Sequence, residues 1–314
     1  MNEVIMFVGF PASGKSTIAK KYENNGYVRL NRDSIGGKIA DLVPLMVDEI
    51  KKGNNVVLDN THCTIEHRKS FIDAAKVNNT MVKCIWFNTS VVDCEINACI
   101  RMIQRYGKIF EPKELKKHKD SNIFPPGVLK SFEKMFIKPT LEEGFNEIIE
   151  RKFEREWPSD FINQSLIVDY DGTVRHVPEN STNGMYPVNK SEVKILPNRR
   201  EKLKKYKEKG YILCGISNQS GVHKQIISYK IADDLFKCTN KLLDQDIDYR
   251  FCPHQSFPIL CWCRKPNVAN AVDLILKHKL NPAKCIFVGD YHTDKRLAEK
   301  IGFQYYDAKD FFNE

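Results

Sequence analysis

Gly9 to Thr17 reads GFPASGKST, and this string constrains the fold more than any other part of the chain. It fits the pattern G-x-x-x-x-G-K-[ST] in full. The apolar run VIMFV, residues 4–8, precedes it, and a stretch with helical spacing follows it. That is the context the pattern demands, a strand running into the loop and a helix leaving it. The glycines let the backbone curl until its N–H groups face a phosphate. The following helix adds its positive N-terminal end. Lys15 is then placed to reach the β- and γ-phosphates of a nucleotide and Ser16 to ligate Mg2+, with Gly9, Ser13, Gly14 and Thr17 completing the cradle.

Further apolar runs resemble the first. They are NVVLDN (55–60), MVKCIWF (81–87), SLIVDYDG (165–172), YILCGISN (211–218) and KCIFVGD (284–290). Short runs of this kind, rich in β-branched residues, read as buried parallel strands. Helical spacing of apolar residues appears between them at 64–77, 91–105, 267–279 and 293–301. The alternation occurs twice over, and 314 residues suit two domains. The expected fold class is therefore α/β, two parallel-sheet three-layer domains. The first is expected over 1–153 and the second over 165–314. The charged segment between them, 154–164, contains Pro158 and is the expected junction.

Several classes are excluded. No apolar run approaches the roughly 18 residues of a membrane helix. The opening MNEVIMFVGF carries an acidic residue and no basic region, so it does not read as a secretory signal. Nothing marks a nucleus or an organelle, and the cytoplasm is the default expectation. Thiols of such a chain stay reduced, so a local Cys/His cluster reads as a metal site before it reads as disulfides.

Residues beyond the phosphate loop narrow the chemistry. Gly26 to Asp33 reads GYVRLNRD and sets a carboxylate past a short second strand. Strand C-terminal ends border the ligand crevice of a parallel sheet. Asp33 can therefore take the proton of an attacking hydroxyl, and it can equally cap the helix that starts near Ser34. Asp59 ends the run VVLD and can orient Mg2+ or the acceptor. Arg101 and Arg105 share one helix face at i, i+4 and could clamp a transferring phosphoryl group, although exposed helix arginines also serve as plain solvated surface. Lys113 to Lys119 (KELKKHK) reads as a solvated helix face that could touch a polyanion.

In the second half, Asp169-Tyr170-Asp171-Gly172-Thr173 follows a strand. Alternate side chains along a strand point the same way. Asp169 could attack phosphorus while Asp171 protonates the leaving oxygen, through an aspartyl-phosphate. Downstream, Ser217 and Asn218 end another strand, Arg264-Lys265-Pro266 supplies cations, and Asp290 and Asp294 supply carboxylates for Mg2+. Cys252-Pro253-His254 and Cys261-Trp262-Cys263 form C-x-H…C-x-C, the Cys3His set of a closed structural zinc site.

Taken in order, GFPASGKST, GYVRLNRD, LDNTH and KPTLEEGF (138–145) resemble the kinase domain of the polynucleotide kinase/phosphatase family over about residues 4–153. The resemblance implies ATP-dependent phosphorylation of 5′-OH ends of DNA or RNA. It implies Asp33 as general base, Asp59 as the Asp of the D-N-T motif and Arg101 or Arg105 as the lid arginine. Phage-type members carry an Arg three positions after the base, where this chain has Gly36.

Residues 165–305 resemble the haloacid dehalogenase phosphatase superfamily, a Rossmannoid fold. That resemblance implies Asp169 as nucleophile, Asp171 as acid/base, Ser217 and Lys265 as phosphate ligands, and a Mg2+ site of Asp169, Asp171, Asp290 and Asp294. The string C-P-H…C-x-C-R-K-P resembles the heptose-bisphosphate/histidinol-phosphate phosphatase branch. There the zinc loop delivers Arg-Lys, here Arg264 and Lys265, to the phosphate. Phage-type end-healing phosphatases lack that zinc cluster, while the kinase-first order matches them. The combined expectation is a bifunctional end-healing enzyme, a 5′-kinase and 3′-phosphatase using ATP, Mg2+ and structural Zn2+. Its products are the ends a ligase joins. A metabolite kinase fused to a sugar-phosphate phosphatase is the competing expectation. The net charge of +9 favours the polyanion. It comes from 25 basic and 20 acidic residues up to position 155, then 24 and 20, so both halves are basic.

Overall fold

The structure is a computed structural model and describes residues 2–176 and 186–313. Contacts divide the chain into two compact units, 1–98 with 115–155 and 99–114 with 156–314. The segment 99–114 thus groups with the second unit, although its residues fall within the sequence range expected for the first.

The first unit is built on a five-stranded sheet: β1 (Glu3–Val8), β2 (Val28–Leu30), β3 (Val56–Leu58), β4 (Met81–Asn88) and β5 (Glu147–Lys152). The order is β2-β3-β1-β4-β5 and every pairing is parallel. Alternation along β1 explains the layering. Val4, Met6 and Val8 face one core with Leu58, Cys84 and Trp86, beneath the helices Leu42–Lys51 and Ile65–Val77. Ile5 and Phe7 face the other with Val57, Ile85 and Phe87, beneath the helix Lys15–Asn24. Both faces are covered, so the strands read as continuous apolar runs. Each buried Val, Ile or Phe contributes about 1.5–3 kcal/mol.

Two buried polar groups brace this unit. His62 Nδ1 donates to the Phe7 carbonyl at 2.8 Å. Arg68 is fully buried and pairs twice with Glu143, at 2.6 and 2.7 Å, while its third nitrogen donates to the carbonyls of His62 and Ile137. Glu143 lies in KPTLEEGF, and Lys138 of the same string sits 4.4 Å from the centre of the Trp86 ring. These motif residues hold the scaffold behind the phosphate loop.

The second unit repeats the plan. Its strands are β6 (Ser165–Val168), β7 (Ile212–Asn218), β8 (Asp248–Cys252), β9 (Ile286–Gly289) and β10 (Gln304–Asp307). The order is β10-β9-β6-β7-β8, again parallel throughout. Leu166, Val168, Ile286 and Val288 join one core with Leu203, Leu235 and Phe236. Ile167 and Phe287 alternate with them, are equally buried, and point to the opposite face.

The four expected helices appear as Ile65–Val77, Val91–Tyr106, Ala269–His278 and His292–Ile301. Strands β5, β8 and β10 were not named from the sequence. In β5 (EIIERK) most residues are exposed, because it is the sheet edge, so no buried run marked it. No helix among the described residues is long and apolar enough to cross a membrane.

Candidate active sites

The phosphate loop leaves β1 at its C-terminal end. Gly14 has φ +92°, a left-handed conformation that suits glycine, and caps the helix Lys15–Asn24. At Gly9 the constraint is space, since a Cβ there would lie 2.9 Å from Phe87 Cβ. The loop is pinned at several points. Gly9 N–H donates to Thr61 O at 3.1 Å, Thr89 Oγ1 donates to Ser13 O at 3.2 Å, and Asn97 Nδ2 donates to Ala12 O at 2.9 Å. Lys15 Nζ folds over the loop, donating to Phe10 O at 2.5 Å, Gly9 O at 3.1 Å and Ser13 Oγ at 3.2 Å. Ser16 and Thr17 are exposed, and the first helical turn holds no acidic residue. This donor set fits the phosphate chain of a nucleotide.

The ends of β2 and β3 are stitched together beside it. The Asn31 side-chain amide donates to Asp59 O, Arg32 N–H donates to Asn60 Oδ1 at 3.0 Å, and Asn60 Nδ2 donates to Leu30 O at 3.3 Å. Asn31, not Asp33, caps the short helix Arg32–Ile35, accepting from Ser34 N. Asp33 is thereby relieved of the capping role. Its carboxylate is exposed and lies 2.5 Å from the Arg32 guanidinium. Asp59 is buried, and Arg29 holds its Oδ2 through Nη2 at 2.5 Å and Nε at 3.0 Å. Arg29 carried no signal in the sequence, because only its partner's burial makes it important. Arg101 is half-buried and Arg105 exposed, on the helix Val91–Tyr106. Arg101 lies one turn beyond Asn97, on the same helix face. Both arginines lie in the 99–114 segment that groups with the second unit.

In the second unit, β6 ends at Val168 and Asp169 follows, its N–H bonded to Val288 O at 2.9 Å. Lys265, buried, bridges two carboxylates. Its Nζ lies 2.7 Å from Asp169 Oδ1 and 2.7 Å from Asp294 Oδ1, and donates to Ile216 O at 2.9 Å. Burial works to lower the lysine's pKa, but the two aspartates hold it above its ordinary value. Burial lifts the Asp169 carboxyl to about 7, against the pull of Lys265 and with the push of Asp294. Burial and then Asp294 also raise Asp290.

Carboxylate oxygens of Asp169, Asp290 and Asp294 all lie within 4.8 Å of one another. Three hard oxygen donors, two of them paired with Lys265, fit a divalent cation such as Mg2+. The cradle depends on two glycines. A Cβ at Gly172 would fall 2.2 Å from Asp290 Oδ2, and one at Gly289 would fall 2.5 Å from Asp294 Oδ2.

Asp171, also expected at the Mg2+ site, is not one of that trio, because its carboxylate is engaged elsewhere. Arg175 holds it from one side and Gln219 Nε2 donates to its Oδ2 at 2.6 Å from the other. Tyr170, between the two aspartates, is buried with its hydroxyl on Asn240. Gln219 also donates to Ser217 Oγ at 3.2 Å. Asn218 pairs with the Lys265 backbone both ways, accepting from its N–H at 3.0 Å and donating to its carbonyl at 3.3 Å. Arg175, Gln219 and Thr173, which donates to Asp290 at 3.1 Å, were not among the sequence candidates. Gln219 lay inside the string ISNQSG, where it could have been picked out.

Cys252, His254, Cys261 and Cys263 converge at the end of β8 and in the loop after it, with their four donor atoms within 4.8 Å of one another. Cys252 Sγ lies 3.6 Å from Cys261 Sγ, and His254 Nδ1 lies 3.2 Å from Cys263 Sγ. Three sulfurs and one imidazole at such spacing fit a tetrahedral zinc ion. The loop is tied into the second site. Asn267 and Asn270 donate to the carbonyls of Cys261 and Cys263, and Arg264 donates to His254 O at 3.3 Å.

Comparison with known proteins finds relatives of two kinds. A family model described as an AAA domain matches residues 4–114. The bifunctional polynucleotide phosphatase/kinase of Schizosaccharomyces pombe is 33% identical over 153 residues, covering 48% of this chain and 34% of that one. The D-glycero-β-D-manno-heptose-1,7-bisphosphate 7-phosphatase of Haemophilus influenzae is 29% identical over 145 residues, covering 42% of this chain and 74% of that one. Among solved structures, a chain of the Pnkp1/Rnl/Hen1 RNA repair complex aligns with 98% of this chain and 95% of its own, at 17% identity and a TM-score of 0.32. The chain spans about a third of the length of the bifunctional relatives it matches.

Proposed function

We propose that this chain is a bifunctional nucleic-acid end-healing enzyme, a 5′-OH polynucleotide kinase and a polynucleotide 3′-phosphatase. The observation that carries the reading is the presence in one basic chain of two separate phosphate-handling sites, the pinned loop at Gly9–Thr17 and the Lys265-bridged aspartates.

In the kinase, the loop amides and Lys15 hold the ATP phosphates, and Ser16 would hold Mg2+. Asp33 accepts the proton of the 5′-hydroxyl as its oxygen bonds to the γ-phosphorus and the bond to ADP breaks. Asp59, fixed by Arg29, orders the acceptor side, and Arg101 and Arg105 supply positive charge for the transferring group.

In the phosphatase, the Asp169 carboxylate attacks phosphorus and forms an aspartyl-phosphate while the bond to the 3′-oxygen breaks. Asp171 gives that oxygen a proton. It then takes one from the water that attacks the acyl-phosphate and returns Asp169 with inorganic phosphate. Lys265, Arg264, Ser217 and Asn218 hold the phosphate oxygens. Asp169, Asp290 and Asp294 would hold Mg2+, which when bound keeps Asp169 ionised and neutralises charge on the phosphate. The four Cys/His residues would hold zinc as a structural ion that fixes the loop bearing Arg264 and Lys265.

The test is direct. The protein is incubated with ATP, Mg2+ and oligonucleotides bearing 5′-OH or 3′-phosphate ends, DNA and RNA side by side. Phosphate transfer to the first and release from the second are expected. Neither event on either polymer sinks the proposal.

A second reading, a metabolite kinase fused to a sugar-phosphate phosphatase, draws on the Cys/His loop and the similarity to a heptose-bisphosphate phosphatase. Preferential turnover of a sugar bisphosphate over a 3′-phosphorylated oligonucleotide would favour it.

A further inference from the structure

Glu111 belongs to the 99–114 segment, far in sequence from the Cys/His loop, yet both lie in the same contact unit. Its Oε2 meets Nε2 of His254. The other imidazole nitrogen, Nδ1, is the one turned toward the sulfurs, 3.2 Å from Cys263 and 3.5 Å from Cys252. The ring therefore has one nitrogen for a metal and one for a carboxylate. A metal-bound histidine commonly passes its second N–H to a carboxylate, which fixes the tautomer and makes the ligand more basic.

The backbone that carries the Glu111 carboxylate is held in place. Glu111 N–H donates to Glu114 Oε2 at 2.8 Å, and Lys108 Nζ pairs with Glu114 Oε1 at 2.6 Å. The stretch 108–114, which leads into the helix Pro112–Lys117, is thus tied together through Glu114, with Glu111 just before the helix. An exposed ion pair alone would contribute little, and the Glu111 side chain is 60% exposed. The pair gains weight only if His254 Nδ1 is committed to a cation, so that Nε2 must carry the proton.

We propose that Glu111 is a positioning residue of the zinc site. Its carboxylate accepts the Nε2–H of His254 and holds the ring with Nδ1 toward Cys252, Cys261 and Cys263. Metal binding and seating of the 108–114 stretch are then linked, and linkage is reciprocal. The inference rests on the zinc reading above. It adds a fifth residue from a distant part of the chain and a consequence for that part.

The experiment uses the full chain as wild type, Glu111→Gln, Glu111→Ala and Cys261→Ser. Zinc content is measured, and zinc is withdrawn with a graded series of chelators. Trypsin cleavage at Lys108 and Lys113 is followed with and without zinc. Wild type should hold one zinc, and Cys261→Ser should lose it. Glu111→Ala should bind it about tenfold more weakly, with Glu111→Gln between. Zinc should protect Lys108 and Lys113 in wild type and fail to do so in Glu111→Ala. A zinc-loaded wild type with Glu111→Ala of equal affinity and equal protection overturns the role of Glu111 and leaves the zinc site standing. A wild type that takes up no zinc overturns both.

Discussion

Arg175 grips Asp171 with two nitrogens, Nε 2.6 Å from Oδ1 and Nη2 3.2 Å from Oδ2. The guanidinium is buried. Its third nitrogen donates to Thr239 Oγ1 at 3.1 Å, and its plane centre lies 4.8 Å from the Phe236 ring. A carboxylate held by a rigid fork cannot rotate, which an acid/base residue between two reaction steps requires. Arg175→Met should therefore lower phosphatase turnover roughly 100-fold with the kinase unchanged. Arg175→Lys keeps charge but loses the fork, so it should recover only part of the rate. A full rate from Arg175→Met, in a protein of unchanged thermal midpoint, would contradict this role.

The two sites should fail independently. Lys15→Ala removes the cation that lies 2.5 Å from Phe10 O in the phosphate loop, and Asp33→Ala removes the proposed base. Each should abolish 5′-phosphorylation and leave phosphate release at wild-type rate. Asp169→Ala should do the reverse. Parallel loss of both activities from any of the three, measured on the same oligonucleotides, would mean that the activities share a site.

Much of this was legible in the sequence because motif chemistry is local. The loop Gly9–Thr17, the aspartates at strand ends and the Cys/His spacing all sit within short strings. What stayed hidden is non-local. Arg29 gains its importance from Asp59, thirty positions away, and Arg68 from Glu143, seventy-five away. Edge strand β5 escaped because exposure removes the apolar run that marks a buried strand. The cap at Asn31 was missed for another reason. In the sequence Asp33 reads as the cap of a helix starting near Ser34, and the observed start at Arg32 gives the cap to Asn31.

Arg68 and Glu143 form a pair with side-chain exposures of 0% and 6%. Removing one partner leaves a buried charge unpaired. Arg68→Met should cost about 3–5 kcal/mol of stability in the first unit. The double substitution Arg68→Met with Glu143→Leu should cost less than Arg68→Met alone, despite the carbonyls of His62 and Ile137 losing their donor. Urea unfolding of the two single variants and the double variant checks this. Strict additivity would show that the pair is not coupled.

Gly172 has φ +85°, and a Cβ there would meet Asp290 Oδ2 at 2.2 Å. Gly172→Ala should displace Asp290 and raise the Mg2+ concentration needed for phosphate release, with turnover down roughly 100-fold. Gly210→Ala is the control. It has φ +83°, but its nearest neighbour is Gln164 Nε2 at 3.8 Å. It carries the same backbone strain without the clash, so its phosphatase rate should match wild type. Equal losses in the two variants would assign the effect to strain alone.

Burial pushes the His62 imidazole down to about 4, against its hydrogen bond to Phe7 O. In the unfolded chain the same ring titrates near 6.5, so between those values the unfolded state binds the extra proton. The stability held by a neutral His62 is therefore complete above about pH 6.5. It falls as pH drops toward 4 and falls no further below that. The loss is on the order of 3 kcal/mol. His62→Gln can still donate to Phe7 O but has no proton to gain. The protection factors of the β1 amides, taken against the intrinsic exchange rate at each pH, should fall between pH 6.5 and 4 far more in wild type than in the variant. An imidazole resonance of His62 that titrates near 6.5 in the folded protein would overturn the assignment.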